Sequence, residues 1–147
     1  MRRFASIRAL LVLLVLAGAL VVGSALPALA QQAPTGTIHI RQQATLVARG
    51  AAIRLPIRYS CSPDALFADL NVQVTQRVGG NRLAQGFAGT DDLVCDGQVH
   101  TVVLTVTASG DNAFRRGEAF AQASLFFCNE SDCTELRTSR VITIVRG

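Results

Sequence analysis

The sequence predicts an all-β domain, a sandwich of about seven antiparallel strands behind an N-terminal export signal. Three observations predict it. Apolar and polar residues alternate at period two from Thr37 onward. Clusters of Gly, Pro, Asn, Asp and Ser interrupt that alternation at short intervals. Four cysteines, Cys61, Cys95, Cys128 and Cys133, stand at the ends of the alternating runs.

The N-terminus reads as an address rather than as part of the fold. Arg2, Arg3 and Arg8 form a positive start, and an apolar run from Ala9 to Val22 follows, broken only by Gly18. Ala28-Leu29-Ala30 is a small-x-small cleavage site with Pro27 before it. The run is short for a membrane span of ~20 residues. Cleavage is expected after Ala30, with Gln31 first. No Cys follows the site to carry a lipid anchor, and Ile144-Val145-Arg146-Gly147 is no hydrophobic tail. The expected product is secreted and free of the membrane.

Removing 30 of 147 residues leaves 117, enough for one core and too few for two. All 14 basic residues are Arg, which reads as the coding bias of a GC-rich bacterium. Three Arg leave with the signal, so 11 face 10 acids and the mature net charge is +1. Such a chain has no overall pull on nucleic acid or anionic lipid. Seven Phe, one Tyr and no Trp supply a carbohydrate-stacking platform poorly.

After a polar leader at 31–36, strands are expected at 37–48, 52–61, 69–78, 82–88, 99–108, 117–128 and 134–145. In the second, Ile53, Leu55, Ile57 and Tyr59 share one face, with Arg54, Pro56, Arg58 and Ser60 on the other. Leu70, Val72 and Val74 alternate with polar residues in the third, and Val102, Leu104 and Val106 form the inner face of the fifth. Turns fall at Gly50, Ser62-Pro63-Asp64, Gly79-Gly80-Asn81, Asp96-Gly97 and Ser109-Gly110-Asp111-Asn112. Short strands at this spacing predict an immunoglobulin-like arrangement. Pro56 conflicts with a strand paired on both sides. Its missing N–H is tolerated if the first strand breaks near Gln42-Gln43.

Four cysteines in an exported domain imply two disulfides among three possible pairings. Cys61 ends its strand. Cys95 precedes the 99–108 strand, which is expected beside 52–61. Cys128 and Cys133 flank one connection. This layout favours Cys61 with Cys95 and Cys128 with Cys133. The rival pairs Cys61 with Cys128 and Cys95 with Cys133, but Cys128 falls on the outward parity of its strand. Zinc is disfavoured, because the spacing matches no compact ligand pattern.

Antiparallel succession gathers Asp64, Asp69, Asp91, Asp92, Asp96, Glu130, Asp132 and Glu135 at the pole that holds the cysteines. Arg49, Arg77, Arg82, Arg115, Arg116 and Arg146 gather at the other, with Asp111 and Glu118. Two readings stand: polar loops sorted by chance, or an acidic rim for a basic partner or calcium. Asp91-Asp92 and Glu130-x-Asp132 match no calcium loop, so no metal site is assigned.

Catalytic patterns are missing. His39 is expected outward and His100 inward, near Asp96 and Asp92, as a satisfied polar residue at a strand start. No nucleophile elbow, paired-carboxylate motif or His-x-x-x-His occurs. Gly79-Gly80 is a turn, since no helix follows to bind phosphate. Asn129-Glu130-Ser131 is a glycosylation sequon only in a eukaryotic host. No cofactor and no enzyme activity are expected. Phe120 and Phe126 share the outward parity of the 117–128 strand with Gln122 and Ser124. Either a loop or the leader covers them, or they mark a contact surface.

The residues Tyr59-Ser60-Cys61, Cys95-Asp96-Gly97-Gln98-Val99-His100 and Gly117-Glu118-Ala119-x-Ala121-x-Ala123 resemble a group of small exported immunoglobulin-like proteins of actinobacteria and related Gram-positive bacteria. The resemblance spans most of 37–145 and implies fold, not activity. A second resemblance, resting on Cys128-x-x-x-x-Cys133, is to enediyne-binding apoproteins of the neocarzinostatin type. It would imply a chromophore cleft, but Cys61 and Cys95 are too far apart for that family's first bridge.

The expectation is therefore a secreted, non-enzymatic binding module for an unknown protein or surface partner. Its candidate surface comprises Asp91, Asp92, Asn129, Glu130, Asp132, Phe120 and Phe126. Alternatives are a carrier of a small apolar ligand, and a protease inhibitor presenting Asn129 to Thr134 on its disulfide.

Overall fold

The computed structural model describes residues 33–147. The expected export signal and its cleavage site lie outside the described residues. Eight strands follow: β1 Gly36–Ile40, β2 Gln43–Val47, β3 Ala52–Cys61, β4 Phe67–Gly79, β5 Arg82–Thr90, β6 His100–Ser109, β7 Gly117–Cys128 and β8 Cys133–Arg146. One turn of 3-10 helix, Ala48–Gly50, joins β2 to β3. The expected bounds of β3 and β7 match. The first expected strand is two, β1 and β2, and Gly36 belongs to β1 rather than to the leader. β4 starts two residues earlier than the alternation indicated, because β7 is long enough for Cys128 and Phe127 to pair with Phe67 and Ala68.

The strands form one sheet that closes on itself. Its order β3-β2-β8-β7-β4-β5-β6 returns to β3, giving a barrel-like ring, with β1 beside β3. All pairs are antiparallel except β2 with β8. Closure is uneven. β5 meets β6 only from Gln85↔Ser109 to Phe87↔Thr107, and β2 meets β8 only from Gln43↔Thr143 to Leu46↔Arg146. Both seams are thus zipped at the end remote from the cysteines.

Pro56 explains one of these seams. β1 pairs with β3 as far as Ile40↔Ile57, and β2 takes over at Thr45↔Arg54. The gap between them faces Pro56, which has no N–H to offer there. Its carbonyl still accepts from the Arg41 N–H at 3.1 Å. At the gap the chain shifts toward β8, and the Thr143 N–H donates to Gln42 O at 2.8 Å. The break expected at Gln42-Gln43 falls at Arg41-Gln42.

Period-two alternation fills the interior. Ile53, Leu55 and Ile57 of β3, Leu70 and Val74 of β4, Leu125 and Phe127 of β7, and Ile142 and Ile144 of β8 are buried. Ala119, Ala121 and Ala123 of β7 also face inward, where small side chains let the opposite wall approach.

Two poles cap the ring. At the far pole, the link 110–116 folds in and buries Phe114, whose N–H donates to Gly50 O at 2.8 Å. Gly50 has φ +96°, and a Cβ there would run into Phe114 O, so both backbone and space require glycine. Gln76 is the other fastening. It is buried on the inward side of β4, accepts from the Arg115 N–H at 2.8 Å, and donates to Arg115 O at 2.8 Å and Glu118 O at 3.2 Å. Gln76→Ala would leave these backbone groups without their partner. It should destabilise the domain by roughly 1–3 kcal/mol, read as a lower urea midpoint with an unchanged slope.

Candidate binding face and the cysteine pole

The outward residues of β5, β4, β7 and β8 form a four-stranded face, and the register arranges it in rows. Gly89, Asn71, Ser124 and Arg137 lie side by side; so do Phe87, Gln73, Gln122 and Ser139. These rows line a groove of about 670 Å³ open to solvent. A Cβ at Gly89 would meet the Asn71 amide oxygen, so the Asn71 side chain would have to shift. On one side the next row holds Asp69, Phe126 and Glu135; on the other it holds Gln85, Thr75, Phe120 and Val141.

The phenylalanines divide unevenly. Phe114 and Phe127 are core. Phe67, Phe87, Phe120 and Phe126 all stand on this outer face, exposed by 50%, 60%, 44% and 38%. Neither a loop nor the described part of the leader hides Phe120 and Phe126. Phe67 and Phe126 meet edge to face at 6.3 Å between centroids. Four of the six described phenylalanines therefore stand on one outer face, and Phe87 lines its groove. Sequence reasoning found Phe120 and Phe126 from parity in β7. Phe67 and Phe87 carry no such signal: Phe67 precedes the 69–78 alternation, and Phe87 joins the face only through the register of β5 with β4.

Polar side chains on the face are partly fixed. Arg137 holds Glu135 through two bonds, Nε–Oε1 2.8 Å and Nη2–Oε2 2.9 Å. The pair depresses the Glu135 pKa and raises that of Arg137. The Asn71 amide donates to the Asp69 carboxylate. Gln73, Gln122, Ser124 and Ser139 remain free to turn toward an incoming group.

Next to the face lies the cysteine pole. Cys61 pairs with Cys95 and Cys128 with Cys133, as the strand layout favoured. Both disulfides belong to a protein outside a reducing cytosol. Among the described residues no helix is long and apolar enough to cross a membrane. Three connections meet at this pole. Gly97 N–H donates to Cys61 O at 2.9 Å, Leu66 N–H to Cys128 O at 2.8 Å, and Val94 N–H to the Tyr59 hydroxyl oxygen at 3.0 Å.

Five of the eight acids gathered here make side-chain hydrogen bonds: Asp64, Asp69, Asp96, Asp132 and Glu135. Asn129 organises the β7–β8 turn, its amide oxygen accepting from the Ser131 and Asp132 N–H groups. The Asn129 amide nitrogen donates to Asp64 at 2.8 Å, which lowers the Asp64 pKa. Asp132 accepts from the Cys133 N–H at 2.8 Å. His100 Nε2 meets Asp96 Oδ1 at 2.8 Å, and this contact with the Gln98 N–H holds the Asp96 pKa down. His100 thus has the satisfied position expected of it. Asp91 shares a shallow depression with Leu66, Phe67 and Leu93. Asp91 and Asp92 follow β5, whereas Asn129, Glu130 and Asp132 form the β7–β8 turn. Among the described residues no group of three His, Cys, Asp or Glu is placed to hold a metal ion.

No family model matches the chain, and no curated protein matches it in sequence. Among solved structures, the chain is similar to AggA, the major subunit of aggregative adherence fimbriae type I from Escherichia coli. That likeness has 13% identity and a TM-score of 0.41, over 79% of this chain and 97% of that one. It is also similar to the sporulation control protein Spo0M from Bacillus subtilis, with 11% identity and a TM-score of 0.38, over 77% of this chain and 49% of that one. Neither likeness carries a functional residue over to this chain.

Two measurements check this pole. By loop length, with separations of 34 and 5 residues, replacing Cys61 and Cys95 by Ala should cost about 4 kcal/mol. The same change at Cys128 and Cys133 should cost about 2 kcal/mol. Denaturant unfolding of both variants gives the order. For Asp96, the folded pKa lies below the unfolded one, so its share of stability is complete above the ordinary carboxylate value and lost as pH falls through the depressed one. The stability gap between the protein and Asp96→Asn should therefore close as the pH drops below about 4.

Proposed function

We propose that the protein is a secreted, non-enzymatic binding module of immunoglobulin-like sandwich type, and that its contact surface is the grooved outer face of β5, β4, β7 and β8. One observation carries this reading: four exposed phenylalanines, Phe67, Phe87, Phe120 and Phe126, share one outer face with a groove that Phe87 lines together with amides and hydroxyls. Exposed aromatic rings beside solvated polar side chains are the usual material of a contact surface, since each ring gains by leaving water and each amide fixes orientation. The surface overlaps the sequence expectation at Phe120 and Phe126 and moves its centre from the acidic loops onto the sheet.

The same groove bears on the two alternatives. A carrier of an apolar molecule needs enclosure by apolar walls, whereas this groove is open and floored by Asn71, Gln73, Gln122 and Ser124. An inhibitor loop at Asn129–Thr134 has rigidity in its favour, but the turn is short and its Asn129 side chain is committed to Asp64.

A photo-crosslinking residue at Gln122, in the middle of the groove, tests the proposal in the host's own medium and cell surface. A discrete adduct from position 122, lost with Phe87→Ser and absent when the probe sits at Arg49 on the far pole, is the expected result. Equal labelling from both positions, or none from 122, would reject the face.

A further inference from the structure

β6 offers a second surface, independent of the groove. It pairs with β3 from Tyr59↔His100 to Ala52↔Thr107, but with β5 only over residues 107–109. Its other edge is therefore unpaired over 100–106. Antiparallel ladders alternate bonded and non-bonded pairs. The Ala108 N–H donates to Ala51 O at 2.7 Å, which sets the phase. Residues 102, 104 and 106 bond β3, while the N–H and C=O groups of Thr101, Val103 and Thr105 point to the free edge. Pro56 agrees with this phase, because it lies opposite Val103, where β3 needs no donor.

Exposed edges are normally blunted by a charge, a proline, a bulge or shortness. β1 is a strand of five residues followed by Arg41, and the free end of β5 runs into Asp91-Asp92. β6 has none of these devices: His100–Ser109 reads HTVVLTVTAS, without Asp, Glu, Lys, Arg or Pro. Its outer face reads Thr101, Val103, Thr105, with Val103 53% exposed at the centre.

We propose that this edge pairs with the same edge of a second copy, antiparallel about a twofold axis at Val103. The outer-face order is its own reverse, which suits a symmetric contact. Val103 meets Val103 of the second copy, and Thr101 meets Thr105. Pro56 lies beside Val103 in each copy, so an apolar strip runs across the junction. Arg58 and Arg54 neighbour Thr101 and Thr105 on β3. Two threonines would separate each from the arginine across the axis, so no like charges oppose directly. The pairing ends near residue 106, because from Thr107 onward the edge is taken by β5.

The test is the mass of the protein, purified unreduced from its host, against concentration, with amide exchange at each. Expected are a reversible dimer and slower exchange at Thr101, Val103 and Thr105 as concentration rises, with Val102 and Leu104 unaffected. Val103→Pro removes only an edge donor, and Val103→Lys keeps the backbone but brings two charges together; each should weaken dimerisation at least tenfold. The circular dichroism spectrum reports whether each variant folds. Phe87→Ser should leave the dimer intact, which separates this proposal from the groove. A monomer at every concentration up to about 1 mM, or a dimer that survives both Val103 variants, would overturn it. So would edge amides protected by a foreign chain.

Discussion

One missing hydrogen-bond donor organises the ring. β3 lies at its centre, bordered by β1 and β2 on one edge and β6 on the other. Pro56, midway along it, cannot serve a continuous neighbour. The first strand therefore breaks opposite Pro56, and its second half reaches across to β8. That crossing closes one seam and sets a parallel pair among antiparallel ones. On the opposite edge Pro56 sits at a non-bonded position, so the ladder to β6 runs past it undisturbed.

Closure at one end and parting at the other divides the labour between the poles. Strand pairing, Phe114 and Gln76 hold the zipped end. The parted end has less backbone pairing across its seams, and there the two disulfides and the Tyr59, Asp64 and Asp96 hydrogen bonds join the connections. This arrangement follows from composition. Small inward residues such as Ala121 and Ala123 give a tight core with little apolar area per residue, and covalent links supply part of what a larger core would.

The sequence carried the strands well because each wall of the ring has a wet and a dry side. Ile53, Leu55 and Ile57 against Arg54 and Arg58 leave no doubt of parity, and Pro56 even located the break. Pairing of the cysteines was readable once β6 was placed beside β3. What escaped was whatever depends on lateral register. Phe67 and Phe87 belong with Phe126 and Gln122 only through the alignment of β5, β4 and β7, which no single strand encodes. Gln76 escaped too: a polar residue at an inward position looks like an interruption until the carbonyls of Arg115 and Glu118 are seen above it. The acids do gather at the cysteine pole, yet the partners of Asp64, Asp96 and Asp132 are ones that parity alone cannot show.

The parallel pair of β2 and β8 has a mechanical meaning. The chain enters the domain at the cysteine pole, where Gly36 lies opposite Cys61, and β8 leaves at the other, where Arg146 lies beside Leu46. Tension applied between the two ends would draw β2 and β8 in opposite directions along their shared ladder. Its rungs, from Gln43↔Thr143 to Leu46↔Arg146, would be loaded together in shear rather than opened one by one. A domain tethered at one end and pulled at the other would thus resist force through the contact that Pro56 creates.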